Sequence, residues 1–166
     1  MAAPSSGPSV PVTIRSATNG DLSVVHDLIL ESFRALVEFT GEESRATYEH
    51  YGRLAATQDL KDIEASYLQS RDSHFWVAEV NGTVVGCVGL RRGNAEDGVL
   101  GRMAVLNEMR CFGIGSELVK TLFTFARSRG YLRITLLTGN PRAANFYKKM
   151  NFISFAETPF GGKQSK

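Results

Sequence analysis

The run Arg110-Cys111-Phe112-Gly113-Ile114-Gly115-Ser116 holds residue types that could do chemistry by backbone alone. It follows the apolar stretch "VLGRMAV" and leads into a long amphipathic segment. Glycine weakens a helix, so two glycines at a helix start need another reason. A strand that passes through a glycine turn into a helix presents unpaired N–H groups at the helix start. Those groups and the helix dipole favour a phosphate. Gly113 and Gly115 lack the Cβ atoms that would hold a pyrophosphate off the backbone, and Arg110 would add a charged donor. A tight packing turn is the other reading of the same glycines. The segment is not a Walker A loop, since no Gly-Lys-Ser/Thr follows. It lacks the third glycine of a dinucleotide fingerprint.

Other reactive side chains form no constellation. Two cysteines cannot make a disulfide framework. Cys87, in "VVGCVGL", reads as a small buried hydrophobe, and Cys111 has no base beside it in the sequence. His26, His50 and His74 lack metal-ligand spacing, so no metal is expected. The chain has 166 residues, 43% hydrophobic and 22% charged, which suits one domain with a real core. A net charge of +2 gives no argument for nucleic acid. No apolar run reaches membrane-spanning length. "MAAPSSGPSVP" lacks the basic start and apolar core of a secretory signal. A cytoplasmic, reducing setting and a chain without a membrane anchor are therefore expected.

The elements that must position the glycine run are legible from periodicity. Val12–Ala17 reads as a strand. Leu22, Val25, Leu28, Ile29 and Phe33 have helical spacing, with Asp21 as N-cap. Residues 43–56 and 60–69 read as two more helices. "HFWVAEV" and "TVVGCVGLRR" are strands joined by Asn81-Gly82, a strong hairpin signal. "GVLGRMAVL" is a strand, 113–129 a long helix, "YLRITLLT" a strand, and "PRAANFYKKM" a helix with Pro141 in its first turn. "NFISFAETPF" offers a final strand. The sum is an α/β fold whose mixed sheet is flanked by helices on both faces. Residues 1–11 and 161–166 read as tails around a single domain, 12–160.

Two motifs then carry a family resemblance. Arg110, Gly113 and Gly115 match the Gln/Arg-x-x-Gly-x-Gly/Ala signature of the GNAT superfamily of N-acetyltransferases. Asn140, Ala143, Phe146, Tyr147 and Phe152 match its second signature, with Asn151 in place of the usual glycine. "FWVAEVNGTVVGCVGL" is similar to the family's second and third strands. The resemblance covers Val12 to Phe155. It implies the acyl-CoA N-acyltransferase fold, a sheet of six or seven strands splayed between the fourth and fifth.

It also implies acetyl-CoA as co-substrate. Backbone amides of Cys111, Phe112, Gly113, Ile114, Gly115 and Ser116 are expected to grip its pyrophosphate. Its pantetheine arm is expected along Met103, Ala104 and Val105, with Asn140, Ala143 and Phe146 lining the slot. Tyr147 matches the tyrosine that protonates the leaving thiolate. The Val105 N–H is expected to support the tetrahedral oxyanion. The position where many relatives carry a glutamate base holds Val99. Asp97, Glu96 and Glu79 are the remaining candidates for the base, unless positioning alone suffices.

The acceptor is expected to be a small amine or an amino-acid-like molecule. Phe33, Glu38, Tyr48 and Tyr51 are acceptor-side candidates by position. A protein acetyltransferase and a non-catalytic acyl-CoA-binding regulatory domain are the alternatives. A homodimer stays open; nucleic acid and membrane are not expected as partners.

Overall fold

The computed structural model describes residues 10–94 and 96–154. Most of both expected tails, 1–9 and 161–166, therefore lies outside the described residues. The chain divides into two compact units, one running to Leu136 and one from Leu137.

The first unit holds a five-stranded sheet in sequence order. Its strands are β1 Thr13–Ser16, β2 His74–Val80, β3 Thr83–Arg92, β4 Asp97–Val105 and β5 Arg133–Thr135. The first four pair antiparallel and β5 joins β4 in parallel. The Asn81-Gly82 hairpin forms as its sequence predicts. Both residues take positive φ, 52° and 77°, which matches the strand twist.

Helices α1 Leu22–Arg34, α2 Val37–Thr40 and α3 Arg45–Thr57 follow β1, and α4 Ile114–Ser128 connects β4 to β5. Asp21 does not cap α1 with its side chain. Its carboxylate instead accepts from the Thr18 N–H at 2.8 Å, closing a capping box around the turn Asn19–Asp21.

β3 is buried from Val84 to Leu90, and its two faces meet different layers. A Cβ on Gly86 would meet Leu118 and Ile114 of α4 at 3.2 and 3.4 Å. Cys87, next in line, joins the core cluster of Val25, Leu28 and Ile29 from α1 and Ala55 from α3. Alternation therefore puts α1 and α3 on one face and α4 on the other. Gly89 lies on the α1 side, where a Cβ would meet Phe75 at 2.9 Å and Tyr67 at 3.0 Å. Its missing side chain lets the Tyr67 ring approach the sheet.

The helix expected over 60–69 is instead two short turns, 3₁₀ at Asp59–Lys61 and π at Glu64–Leu68. Asp62 breaks it. That residue is extended, and its carboxylate accepts from Ala65 N–H and Asn19 Nδ2, both at 2.9 Å. Local side-chain bonds of this kind compete with a continuous helix. The strand expected over 131–138 shrinks to β5. The second unit holds α5, Pro141–Lys149. Residues 151–154 form no strand, and the rest of the expected final strand, 155–160, lies outside the described residues. No described helix is long and apolar enough to cross a membrane.

Candidate functional site

The glycine run forms the turn between β4 and α4. Cys111 and Gly113 both take positive φ, 70° and 78°, and α4 begins at Ile114. Residues that alternate in this way turn successive N–H groups to one side and form an anion-binding concavity. Gly113 occupies the N-cap without a side-chain cap bond, and the first intrahelical bond there is Glu117 N–H to Gly113 O at 3.1 Å. The first-turn N–H groups are thus not taken by a side chain. Arg110 is half-buried and has no ion pair among the described residues. Cys111 is exposed, so the concavity opens to solvent.

Directly upstream, β4 leaves its parallel neighbour. The ladder with β5 covers Asp97↔Arg133, Gly98↔Ile134 and Val99↔Thr135. β4 then runs on to Val105 with no described strand on that edge.

A bulge decides which groups face that edge. Gly89 pairs with Gly101 and Cys87 pairs with Ala104, so β4 uses one residue more than β3 between these rungs. Arg102 sits in the bulge with φ 53°. Beyond it, Leu106 N–H donates to Val85 O at 2.9 Å. Alternation then turns Ala104 towards β3 and the N–H of Val105 to the open edge. Met103 and Val105 are half-buried and Ala104 is buried.

A cavity of about 650 Å³ adjoins this point. Its walls include Leu28, Glu31 and Arg34 of α1, Glu49 of α3, Val105, and Arg110 of the glycine turn. Arg34 donates to Glu31 at 2.8 Å and to Glu49 at 3.1 Å, linking the two helices. The sequence reading missed this wall. A single sequence does not pair Arg34 with a residue 15 positions away. Of the expected acceptor-side residues, Tyr48 is buried against Leu36 and Val37, with Phe33 and Tyr51 packed on them. They form a satellite core, as helical aromatics usually do.

Two of the three candidate bases are held by arginines. Arg133 donates from Nε to Asp97 at 2.7 Å. Asp97 opens β4, eight residues from Val105, or roughly 25 Å along a strand. Glu79 lies on β2, two strands from β4, and accepts from Arg15 Nε at 2.8 Å. Glu96 is exposed in the turn before β4.

The second unit carries the other signature. The side chain of Asn140 caps α5, accepting from Arg142 N–H at 2.9 Å and Ala143 N–H at 3.4 Å. Its oxygen is thus committed to the helix start. Ala143 and Phe146 are half-buried. Tyr147 is buried, with its ring edge-on to Phe146 at 5.2 Å and to Phe152 at 5.4 Å. Burial pushes its phenol well above the usual value. Burial is the one influence on it, with no hydrogen bond to the hydroxyl among the described residues.

Beneath the β4 bulge, Arg102 donates to Asp59 from Nε at 3.0 Å and from Nη2 at 2.6 Å. The Tyr67 hydroxyl donates to the same carboxylate. The sequence held a signal for this pair. Arg102 stands inside an apolar strand, where a buried cation needs a partner.

Known proteins share this architecture. PaiA N-acetyltransferase from Thermoplasma acidophilum, solved in complex with coenzyme A, superposes with a TM-score of 0.77. The match covers 90% of this chain and 93% of that one at 23% identity, a likeness of fold. The probable N-acetyltransferase camello of Xenopus tropicalis is 39% identical over 99 residues, 57% of this chain and 45% of that protein. N-acetyltransferase 8 of Rattus norvegicus is 36% identical over 118 residues, 67% of this chain and 53% of that protein. The chain thus spans about half the length of the curated relatives it matches. The pattern of the acetyltransferase (GNAT) family, whose co-substrate is acetyl-CoA, matches residues 33–152, and the chain belongs to that family.

Proposed function

We propose that this chain transfers an acetyl group from acetyl-CoA to a primary amine by direct attack in a ternary complex. The observation that carries the reading is the open edge of β4 beside an uncapped, positive-φ helix start. Amides from Cys111 to Ser116, with Arg110 at the rim, supply donors for a pyrophosphate. Met103 and Val105 offer outward N–H and C=O groups that suit an amide-bearing arm. The Val105 N–H then stands ready for the oxyanion of the tetrahedral intermediate. Tyr147 takes the acid role on the strength of the family signature. Its raised pKa keeps the proton in place until a thiolate leaves. Asn140 and Phe146 are assigned to acetyl-CoA by the same signature alone.

We assign no enzyme base. Asp97 and Glu79 are held by Arg133 and Arg15, and both lie away from Val105. Positioning supplies the rate, and the amine reacts from its neutral fraction. For an alkyl amine that fraction is about 0.04% at pH 7. The cavity at Glu31, Arg34 and Glu49 is the approach for the acceptor, which its charged walls suit to a small polar amine.

Mass spectrometry of an amine library incubated with acetyl-CoA tests this. At least one small amine gains an acetyl group, and Arg34→Ala raises its KM while leaving that of acetyl-CoA unchanged. Tight acetyl-CoA binding with no acetylated amine would favour the binding-only domain. A product found only on peptides would favour a protein acetyltransferase.

A further inference from the structure

Arg102 is one of four described non-glycine residues with positive φ, and it sits where β4 takes its extra residue. Without the bulge, the Gly89↔Gly101 register would continue and bring Val105 opposite Val85. The Val105 N–H would then point into β3. With the bulge, Leu106 takes that bond and Val105 turns outward. One extra residue thus decides whether an N–H faces the slot. A left-handed arginine is an unfavourable choice, so something around it must hold it.

The structure supplies that hold on both sides of the residue. The guanidinium of Arg102 is clamped by two bonds to Asp59. Its carbonyl accepts from Cys87 Sγ at 3.2 Å. Asp59 is fixed in turn by the Tyr67 hydroxyl. Tyr67 is itself immobilised. It lies in the π turn Glu64–Leu68, is 1% exposed, and packs edge-on to Phe75 at 4.9 Å in the space Gly89 leaves. A π turn in a short connection is rare and recurs at functional positions. Here it delivers a hydroxyl to one carboxylate.

We propose that Asp59 and Tyr67 are positioning residues for acetyl transfer, which clamp Arg102 so that the β4 bulge keeps the Val105 N–H on the open edge. The inference rests on the functional reading above. Neither residue touches donor or acceptor. They act through the strand, and the pyrophosphate grip at the α4 start does not depend on them.

The test uses Asp59→Asn and Tyr67→Phe in the full chain, with Asp59→Glu as the conservative control. The expected result is a kcat loss of at least about tenfold in Asp59→Asn, as for a displaced oxyanion donor, with acetyl-CoA affinity by calorimetry unchanged. Tyr67→Phe gives a smaller loss of the same kind, and Asp59→Glu recovers activity. Amide hydrogen exchange reads the bulge itself. The Val105 amide, open in the wild type, becomes protected in Asp59→Asn as it turns towards Val85. If both variants merely melt earlier, with kcat and Val105 exchange unchanged below the melt, the clamp is structural and the proposal is overturned. Should Asp59→Asn fail to fold, Tyr67→Phe decides by the same two readouts. If the wild type acetylates no amine, the functional reading fails, and unaltered Val105 exchange in the variants would separately refute the clamp.

Discussion

Among single residues, Tyr147 carries the plainest consequence of its surroundings. Its phenol is buried against two aromatic rings, and its hydroxyl makes no hydrogen bond among the described residues. Burial disfavours the phenolate, so the hydroxyl stays protonated well past neutral pH. Such a group can give a proton to a thiolate but cannot serve as a base at pH 7. Tyr147→Phe should therefore lower kcat by roughly a hundredfold or more with little change in acetyl-CoA affinity. The loss should shrink as pH rises above the pKa of the leaving thiol, near ~8.5 for an ordinary thiol. A steady-state pH series checks both statements, and a flat ratio of variant to wild type across pH would remove the acid role. The acid role proposed for Tyr147 rests on a sequence signal, the spaced signature it shares with Asn140, Ala143 and Phe146. The base was not legible, and the geometry gives the reason. Asp97 and Glu79 are attractive in one dimension, but each meets an arginine on a neighbouring strand, Arg133 and Arg15.

At the scale of elements, the decisive one is the β4–turn–α4 unit. Gly113 takes φ 78° as the residue before α4. No heavy atom lies within 4 Å of a Cβ placed there, so a side chain would find space. A β-branched residue would still resist the left-handed backbone, at a cost of about 1–2 kcal/mol. It would either shift the turn or stand in the concavity, and both take N–H groups from a pyrophosphate. Gly113→Val should leave the far-ultraviolet spectrum intact and weaken CoA at least about tenfold, the equivalent of losing one or two charge-assisted bonds. Unchanged affinity by calorimetry would move the phosphate site elsewhere. This unit was readable because a local rule governs each part. Alternation gives β4, glycine gives the turn, and Ile114, Leu118, Val119 and Leu122 give the buried face of α4. The expected helix over 60–69 failed for the opposite reason. Its apolar spacing is real, since Leu60, Ile63 and Tyr67 are all buried. Asp62 and Asn19, 43 residues apart, bond to each other and break the helix, and periodicity does not register such a pair.

Over the whole molecule, two arginine–carboxylate clusters tie distant parts of the sequence to the sheet. Arg15 on β1 joins Asp21 and Glu79, and Arg102 on β4 joins Asp59. The Arg15–Glu79 and Arg102–Asp59 bonds cross 64 and 43 residues. A pattern search along one chain sees only an arginine and a carboxylate. Both aspartates are held below the ordinary carboxylate range. For Asp21 the bonds from Arg15 lead, and outweigh the opposing effect of burial. For Asp59 burial is the largest influence and would raise the value, but the bonds from Arg102 and Tyr67 together overcome it. The sign of the consequence follows by linkage. A carboxyl with a depressed folded pKa adds stability that is present above its unfolded value, near ~3.9, and is lost as pH falls through the folded one. The stability these two aspartates contribute should therefore be level from neutral pH down to about pH 5 and fall below about pH 4. Asp59→Asn should lower Tm at pH 7, where the charge is present, and the gap to wild type should narrow at acid pH. A Tm gap that stayed constant from pH 7 to pH 3 would mean that Asp59 contributes packing alone, and that its charge does nothing to hold β4 to the turn before the π segment.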